Sequence, residues 1–144
     1  MKKVKDILAR KGATITGVDP STSVLDALKI MAGQNIGSVV VMDGGTFKGI
    51  VTERDYSRKV VLNGKSSTDT IVSEIMSTDY PAITLSDTVE HCMQLMSEKN
   101  IRYLPVFEGD KMAGIISIND VVKETILTQQ ETISQLKDYL HASL

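Results

Sequence analysis

Apolar residues recur along this chain with two different periods, and each period predicts a different element. Around residues 21–35 and 86–100 they return every three or four positions, which places them on one face of a helix. After each helix they run together, as IGSVVVM then FKGIVT, and as IRYLPVF then MAGIIS. The turns between the paired runs contain Asp43-Gly44-Gly45 and Glu108-Gly109-Asp110. These patterns predict two helices, each followed by a β-hairpin.

The two patterns are copies of one unit. Residues 18–55 align with residues 83–120 without a gap, and ten of the 38 positions are identical. The identical pairs are Ser21/Ser86, Val24/Val89, Met31/Met96, Asn35/Asn100, Ile36/Ile101, Val41/Val106, Gly44/Gly109, Gly49/Gly114, Ile50/Ile115 and Asp55/Asp120. Each copy also has an opening segment, VKDIL or VSEIM, and a strand-like stretch, ATITGV or PAITL. The chain is therefore a tandem repeat.

Each copy is predicted to be β-α-β-β-α, which makes the fold class α+β. The last helix of each copy should start at or near Asp55 or Asp120, and the capping-box form of Asp87 with Glu90 predicts a helix start near Asp87. Pro105 cannot donate a ladder hydrogen bond, so we expect it at an edge or facing a cleft. A unit of roughly 60 residues buries little surface alone. The two copies are therefore expected to pack sheet to sheet with pseudo-twofold symmetry.

The predicted boundaries follow the repeat. The first copy is assigned to residues 1–64, the second to residues 65–127, and a C-terminal helical extension to residues 128–144. Along that extension a seam of residues alternates at spacings of four and three, as in an a/d pattern. The seam residues are Val122, Ile126, Gln129, Ile133, Leu136 and Leu140. Either a second chain or the helix's own module is expected to cover them.

Composition narrows the functional classes. The 42% apolar and 24% charged residues are typical of a globular protein with a core. An aromatic content of 4% and a net charge of −2 argue against nucleic-acid binding, although the first eleven residues are basic. Cys92 is the single cysteine, and no Cys/His cluster has metal-ligand spacing. With no apolar signal segment or membrane-length apolar run, we expect a cytoplasmic protein.

Each copy ends its second hairpin strand on a hydroxyl and a carboxylate three residues apart, Thr52 with Asp55 and Ser117 with Asp120. Where a strand becomes a helix, the hydroxyl stands beside unpaired amides that favour anions such as phosphate. An ionised carboxylate offers two acceptor oxygens that suit the vicinal hydroxyls of a ribose. The same residue types are also common helix caps with no ligand. The pattern therefore indicates nucleotide contacts or caps.

The repeated unit resembles the cystathionine-β-synthase (CBS) domain. The segments NIGSVVVMDGGTFKGIVTERD and NIRYLPVFEGDKMAGIISIND carry the resemblance, and the whole chain is similar to a stand-alone CBS-domain pair over about residues 3–126. The Asn-Ile pair, the Gly-Ile strand and the final hydroxyl and Asp all occur twice. The resemblance implies two clefts that bind adenosine-containing ligands such as AMP, ADP, ATP, NAD or S-adenosylmethionine. It also implies a homodimer.

The resemblance also implies roles for individual residues. Asp55 and Asp120 would hold ribose hydroxyls, and Thr52 and Ser117 would contact ribose or phosphate. The remaining implied contacts are the backbone around Thr16 and Pro81 for adenine, Ile36 and Ile101 as apolar walls, and Arg102 for phosphates.

The two clefts are expected to differ in charge. Gly37 stands where the second copy has Arg102, and Asn119 stands where the first copy has Arg54. Arg58 lies one helical turn beyond Arg54. Our hypothesis is that Arg54 and Arg58 supply cations to one cleft and Arg102 to the other, although a solvated helix face explains Arg54 and Arg58 equally well.

The leading interpretation is a non-catalytic sensor that binds an adenine nucleotide, needs no cofactor and signals to a separate effector protein. One alternative is a structural dimerisation module with vestigial clefts. An enzyme using Asp55 or Asp120 as a general base is disfavoured, because no triad, metal set or phosphate loop accompanies them. Which nucleotide binds, whether both clefts fill and which protein responds are left open by the residues.

Overall fold

The computed structural model describes residues 1–142, and the chain divides into two compact units. The first unit is residues 15–80, and the second unit is residues 1–14 together with the chain from Pro81 onward. The predicted boundaries at residues 64 and 127 follow the sequence repeat, whereas the compact units follow packing. The opening segment of the first repeat therefore lies with the second repeat.

Helices and strands alternate along the chain. In order they are α1 (Val4–Lys11), β1 (Gly17–Val18), α2 (Val24–Gln34), β2 (Ser38–Asp43), β3 (Thr46–Thr52), α3 (Glu53–Tyr56), α4 (Val72–Ile75), α5 (Val89–Lys99), β4 (Tyr103–Glu108), β5 (Lys111–Ser117) and α6 (Ile118–Ala142). A π-helical segment, Ser57–Val61, continues α3 into the stretch between the repeats. The mixture of helices and strands, with a long C-terminal helix, confirms the predicted α+β class.

Both helices of the repeat end in the same way. Asn35 after α2 and Asn100 after α5 adopt left-handed conformations, with φ of 54° and 53°. Asparagine tolerates this region better than most residues, which allows the chain to reverse out of the helix. The amides of Ile36 and Ile101 then donate to carbonyls of the last turn, those of Met31 and Met96. The repeated Asn-Ile pair is therefore a helix stop.

The N-terminal caps correct one prediction. Ser23 caps α2 by accepting from the Asp26 amide, and Thr88 caps α5 by accepting from the His91 amide. Asp87 does not cap α5, because its carboxylate accepts from the Thr84 amide at 2.7 Å in the preceding turn. The predicted helix start near Asp87 is therefore confirmed, but the predicted Asp87–Glu90 capping box is wrong, because Thr88 is the cap.

Two antiparallel hairpins confirm the predicted strand pairs. The register of β2 and β3 runs from Ser38↔Thr52 to Asp43↔Thr46. The register of β4 and β5 is equivalent, from Tyr103↔Ser117 to Glu108↔Lys111. Gly44 and Gly109 open the two turns with φ of 57° and 59°, a conformation that favours glycine. The second residues of the turns differ, because Gly45 also has a positive φ of 91° whereas Asp110 does not.

The strand before each helix differs between the copies. In the first unit β1 pairs parallel to β2, and the Val40 amide donates to the Thr16 carbonyl at 2.9 Å. The residue equivalent to Val40 is Pro105, which has no N–H, so the matching bond to Pro81 cannot form. The predicted strand in PAITL is accordingly reduced to an isolated bridge between Ile83 and Val106. Pro105 lies in the two-stranded β4–β5 sheet, as expected for an edge position.

Each unit has its own apolar core. The core of the first unit consists of Val18, Val24, Ala27, Met31, Val39, Val41, Val51, Val60, Val72 and Ile75. The core of the second unit consists of Val4, Ile7, Leu8, Ile83, Val89, Cys92, Met96, Leu104, Val106, Ile116 and Val121. The α1 side chains Val4, Ile7 and Leu8 thus complete the core of the second repeat.

The seam of α6 is exposed. Within the second unit, the buried residues of the helix are Val121 and Glu124, which are 0% and 2% exposed. The apolar seam residues Val122, Ile126, Ile133, Leu136 and Leu140 are between 46% and 62% exposed. The chain's own module therefore leaves most of the seam surface uncovered.

Candidate functional site

The predicted contacts of the first unit lie at one edge of its sheet, the edge at which β1 and β2 begin and β3 ends. Thr16 precedes β1, Gly37 precedes β2, and Thr52 ends β3. The Thr16 carbonyl accepts from the Val40 amide at 2.9 Å, and the Gly37 carbonyl accepts from the Glu53 amide at 3.2 Å. Because β1 and β2 begin where β3 ends, these residues lie along the same edge.

The second unit has an equivalent edge. Arg102 precedes β4 and its carbonyl accepts from the Ile118 amide at 2.8 Å, just after Ser117 ends β5. Pro81 lies two residues before Ile83, whose amide donates to the Pro105 carbonyl at 3.3 Å. The predicted contacts of each copy are thus brought to one edge within a single unit.

Thr52 and Asp55 form a reciprocal cap at the β3–α3 junction. The Asp55 amide donates to Thr52 Oγ1 at 3.1 Å, and the Thr52 amide donates to Asp55 Oδ2 at 2.9 Å. Both residues are buried, at 8% and 7% exposure. The capping interpretation is therefore confirmed at this junction, and the ligand role of these residues stays a prediction.

Two residues that the sequence patterns did not single out surround the other oxygen of Asp55. Lys59, in the π-helical segment, approaches Asp55 Oδ1 at 3.0 Å, and the Ser77 hydroxyl donates to the same oxygen at 3.0 Å. Lys59 is four residues after Asp55, a spacing at which helical side chains meet, so it was detectable in principle. Ser77 was not, because it reaches the site through the fold.

Ser117 and Asp120 form the equivalent cap at the β5–α6 junction. The Asp120 amide donates to Ser117 Oγ at 3.2 Å, and the Ser117 amide donates to Asp120 Oδ2 at 2.8 Å. Lys11, the last residue of α1, contacts Asp120 Oδ2 at 2.7 Å and the Ile115 carbonyl at 2.9 Å. Each predicted ribose-binding carboxylate thus already has a lysine partner, and each lysine comes from a different element.

The arginines lie in the predicted units with unequal exposure. Arg54 is half-buried in α3, whereas Arg58 in the π-helical segment is exposed. Arg102 is exposed just before β4. The hypothesis that these cations make the two sites unequal stays a prediction.

The predicted apolar walls also serve the cores. Ile36 packs against the core of the first unit, and Ile101 packs against the core of the second. Both are only partly buried, so part of each side chain faces the solvent at the sheet edge. Core packing and a role as a cleft wall are compatible for these residues.

Residues 1–142 contain no group of three or more His, Cys, Asp and Glu side chains arranged to hold a metal ion. Over the same range, no helix has both the length and the apolar composition to span a membrane.

The comparisons with known proteins agree with this architecture. A family model for the CBS domain matches residues 4–61 and residues 72–126, one match for each repeat. The chain therefore belongs to the CBS-domain family.

Three similar proteins illustrate the family. The chain is 34% identical to CBS domain-containing protein CBSX3, mitochondrial, of Arabidopsis thaliana, over 95% of this chain and 71% of that protein. A solved structure from Burkholderia ambifaria, a CBS-domain protein provisionally described as acting in signal transduction, is 46% identical with a TM-score of 0.86, over 89% of this chain and 96% of that one. The hexameric CBS-CP12 protein of bloom-forming cyanobacteria is 28% identical with a TM-score of 0.73, over 83% of this chain and 66% of that one.

Proposed function

We propose that this chain is a non-catalytic regulatory module that binds an adenosine-containing ligand, AMP, ADP, ATP or NAD, and signals to a separate protein. The ligand would bind at the Thr52–Asp55 and Ser117–Asp120 junctions, and no further cofactor would be required. Membership of the CBS-domain family supports a regulatory role, as does the provisional signal-transduction description of the Burkholderia ambifaria relative.

The observation that carries this proposal is the placement of a hydroxyl and a carboxylate at the same sheet edge in both units. Gly37 and Arg102 provide backbone beside the two junctions, as the bonds from Glu53 and Ile118 show. Carboxylate oxygens suit ribose hydroxyls, and hydroxyl and amide donors suit phosphate. A nucleoside phosphate presents both groups at once.

The proposed module is a cytoplasmic homodimer. The exposed seam of α6 requires a cover, and the cyanobacterial CBS-CP12 relative is hexameric, so association between copies has a precedent among similar proteins. A ligand changes the state of such an assembly only if it binds the two states with different affinity. The proposed signal is therefore a nucleotide-dependent change in the dimer.

Thermal unfolding with AMP, ADP, ATP and NAD, each at millimolar concentration, tests the proposal. A ligand at ten times its Kd stabilises the folded state by about 1.4 kcal/mol. For a protein of this size we expect Tm to rise by about 3–6 °C with at least one of them. CMP, which has the same ribose and phosphate but a different base, serves as the ligand control. No shift with any adenosine-containing ligand would overturn the proposal.

Paired variants identify the site. The double variant Asp55→Asn/Asp120→Asn keeps one acceptor oxygen for each cap and removes the second, so we expect it to fold and to lose the Tm shift. The double variant Asp43→Asn/Asp110→Asn changes two exposed carboxylates in the hairpin turns and should keep the shift. An unchanged shift in the first variant would place the ligand elsewhere.

A structural dimerisation module with vestigial clefts is the second candidate. It is favoured by the filled hydrogen-bonding positions of Asp55, which has protein partners on both oxygens. This function predicts a stable dimer that no nucleotide stabilises. Sedimentation with and without each of AMP, ADP, ATP and NAD separates it from the first proposal, because only the first proposal predicts a nucleotide-dependent change in the dimer.

A further inference from the structure

The two predicted ribose-binding carboxylates, Asp55 and Asp120, differ in how many of their hydrogen-bond acceptor positions are unoccupied. A carboxylate has about four acceptor positions. Asp55 Oδ2 accepts from the Thr52 amide at 2.9 Å and from Thr52 Oγ1 at 3.1 Å. Asp55 Oδ1 accepts from Ser77 Oγ at 3.0 Å and faces Lys59 Nζ at 3.0 Å. All four positions of Asp55 are therefore occupied by the protein.

The donors of the Lys59 ammonium group are also all paired with protein atoms. An ammonium group has three donors. Lys59 Nζ contacts Asp55 Oδ1 at 3.0 Å, the Ile75 carbonyl at 2.9 Å and Ser77 Oγ at 3.1 Å. Ser77 is itself held to β3, because its amide and carbonyl both pair with Ile50. Asp55, Lys59 and Ser77 thus form a closed polar network, which we call the lock.

The acceptor positions of the Asp120 carboxylate are not all occupied in this way. Among residues 1–142, both contacts of its carboxylate fall on Oδ2, from the Ser117 amide at 2.8 Å and Lys11 Nζ at 2.7 Å. Its side chain is 16% exposed, compared with 9% for Asp55. Oδ1 of Asp120 is therefore available to a hydroxyl donor without the loss of a protein contact.

The repeat explains why the lock exists once. When the alignment of residues 18–55 with 83–120 is extended at the same offset, Lys59 aligns with Glu124, which has the opposite charge. The opening segments VKDILA and VSEIMS pair Ser77 with Ala9, which has no hydroxyl. Glu124 is instead held by Arg10 at 3.1 Å. Both partners of Asp55 are therefore absent from the equivalent positions around Asp120.

We propose that Lys59 and Ser77 lock Asp55, so that a ribose-bearing ligand occupies the Ser117–Asp120 junction first and the Thr52–Asp55 junction only after the lock opens. This inference rests on the proposed function. Opening the lock removes two contacts from Asp55 and releases Lys59 from the end of α4. Filling of the second site is therefore coupled to the segment from Ile75 to Ser77.

Calorimetric titration with adenosine tests the order of filling. Adenosine has the ribose hydroxyls and no phosphate, so removing the Lys59 charge cannot weaken binding through a phosphate. We expect two unequal sites in the native protein, with the tighter one lost in Asp120→Asn. In Lys59→Met/Ser77→Ala the weaker site should bind about tenfold more tightly, since a charge-assisted hydrogen bond no longer competes.

Lys65→Met, at an exposed lysine of the same unit, is the matched charge control and should bind as the native protein does. Two equal sites in the native protein, or the loss of the tighter site in Asp55→Asn instead of Asp120→Asn, would overturn the order of filling.

Amide hydrogen exchange without ligand tests the lock separately. The Ser77 amide donates to the Ile50 carbonyl at 2.9 Å, and Lys59→Met/Ser77→Ala should accelerate exchange at residues 76–78 by about tenfold or more. Lys65→Met should leave exchange there unchanged. Unchanged exchange in the lock variant overturns the lock. Accelerated exchange with no adenosine or nucleotide bound by any variant supports the lock and overturns the proposed function.

Discussion

Gly49 and Gly114 occupy equivalent positions of the two repeats but have different neighbours. A Cβ at Gly49 would lie 2.9 Å from the Ser77 carbonyl oxygen, which β3 holds in place. A Cβ at Gly114 would lie 3.0 Å from Leu8 Cδ2, at the flexible end of a side chain. We expect Gly49→Ala to lower the free energy of unfolding by about 2–3 kcal/mol and Gly114→Ala by less than about 1 kcal/mol.

Urea unfolding of the two variants measures this difference. Gly33→Ala is the control, because Gly33 lies in α2 with nothing within 4 Å of its added Cβ. That substitution should stabilise the protein by about 0.5–1 kcal/mol. Equal losses at Gly49 and Gly114 would show that the Ser77 carbonyl yields as easily as a leucine side chain.

Cys92 gives a pH dependence at the residue scale. Burial raises the pKa of its thiol from 9.0 to about 11, and the negative charges of Asp87 and Glu90 act in the same direction. The folded state therefore holds the proton that the unfolded state releases above pH 9. The stabilisation is complete below the unfolded pKa and is lost as the pH rises towards the folded pKa.

Between pH 8 and pH 10, we expect the native protein to lose about 1 kcal/mol more stability than Cys92→Ala, which has no thiol to ionise. Urea unfolding of both proteins at the two pH values measures the difference. Parallel losses in the two proteins would contradict a raised thiol pKa.

At the scale of elements, two ion pairs join α1 to α6, Lys11 with Asp120 and Arg10 with Glu124, and the second has the more deeply buried carboxylate. Arg10 Nε and Nη2 lie 3.1 Å and 3.2 Å from the two oxygens of Glu124. Glu124 is 2% exposed and the Arg10 side chain 51%. A buried carboxylate without its cation is costly, and solvent access to Arg10 reduces that cost. We expect Arg10→Met to destabilise the protein by about 1–3 kcal/mol.

The double variant Arg10→Met/Glu124→Leu should recover most of that loss, because it removes the buried charge as well as its partner. Chemical unfolding of the single and double variants gives the comparison. If the double variant is as unstable as Arg10→Met alone, the pair contributes through packing and not through charge.

The repeated elements were largely predictable from local patterns. The hairpins followed from runs of branched residues around Gly44 and Gly109, and the two long helices followed from their apolar faces. The predicted strand in PAITL was not predictable in this way. It is shortened because Pro105, in the neighbouring strand, lacks an N–H, and the apolar pattern of PAITL itself does not contain that information. The cap of α5 was misassigned for a similar reason, since Asp87 is used by the preceding turn.

At the scale of the whole molecule, the exposed seam of α6 predicts how two copies associate. One flank of the seam carries Lys123, Gln130 and Lys137, and the other carries Thr125, Thr132 and Tyr139. In a parallel pair each flank meets the opposite flank of the partner, so the lysines meet uncharged side chains. In an antiparallel pair the lysine flanks would face each other. We therefore expect a parallel pair.

Oxidative cross-linking distinguishes the two arrangements. Leu136→Cys should form a disulfide-linked dimer with itself in a parallel pair. In an antiparallel pair centred near residue 131, the two cysteines would lie about 15 Å apart, and Leu136→Cys would instead link to Ile126→Cys in a mixture. Ser134→Cys, on another face of the helix, is the control that should not cross-link. A monomer at working concentration would contradict the proposed dimer.

The sequence by itself determined the repeat, the hairpins, the helix stops and the hydroxyl–carboxylate pairs, because each depends on residues close together in the chain. Only the tertiary structure decided which residues surround those pairs. Ser77 reaches Asp55 from 22 positions away, and Lys11 reaches Asp120 from 109 positions away. The packing of α1 with the second repeat and of Ser77 beside β3 depends on the path of the chain through the fold. The local hydrophobic pattern does not contain this information.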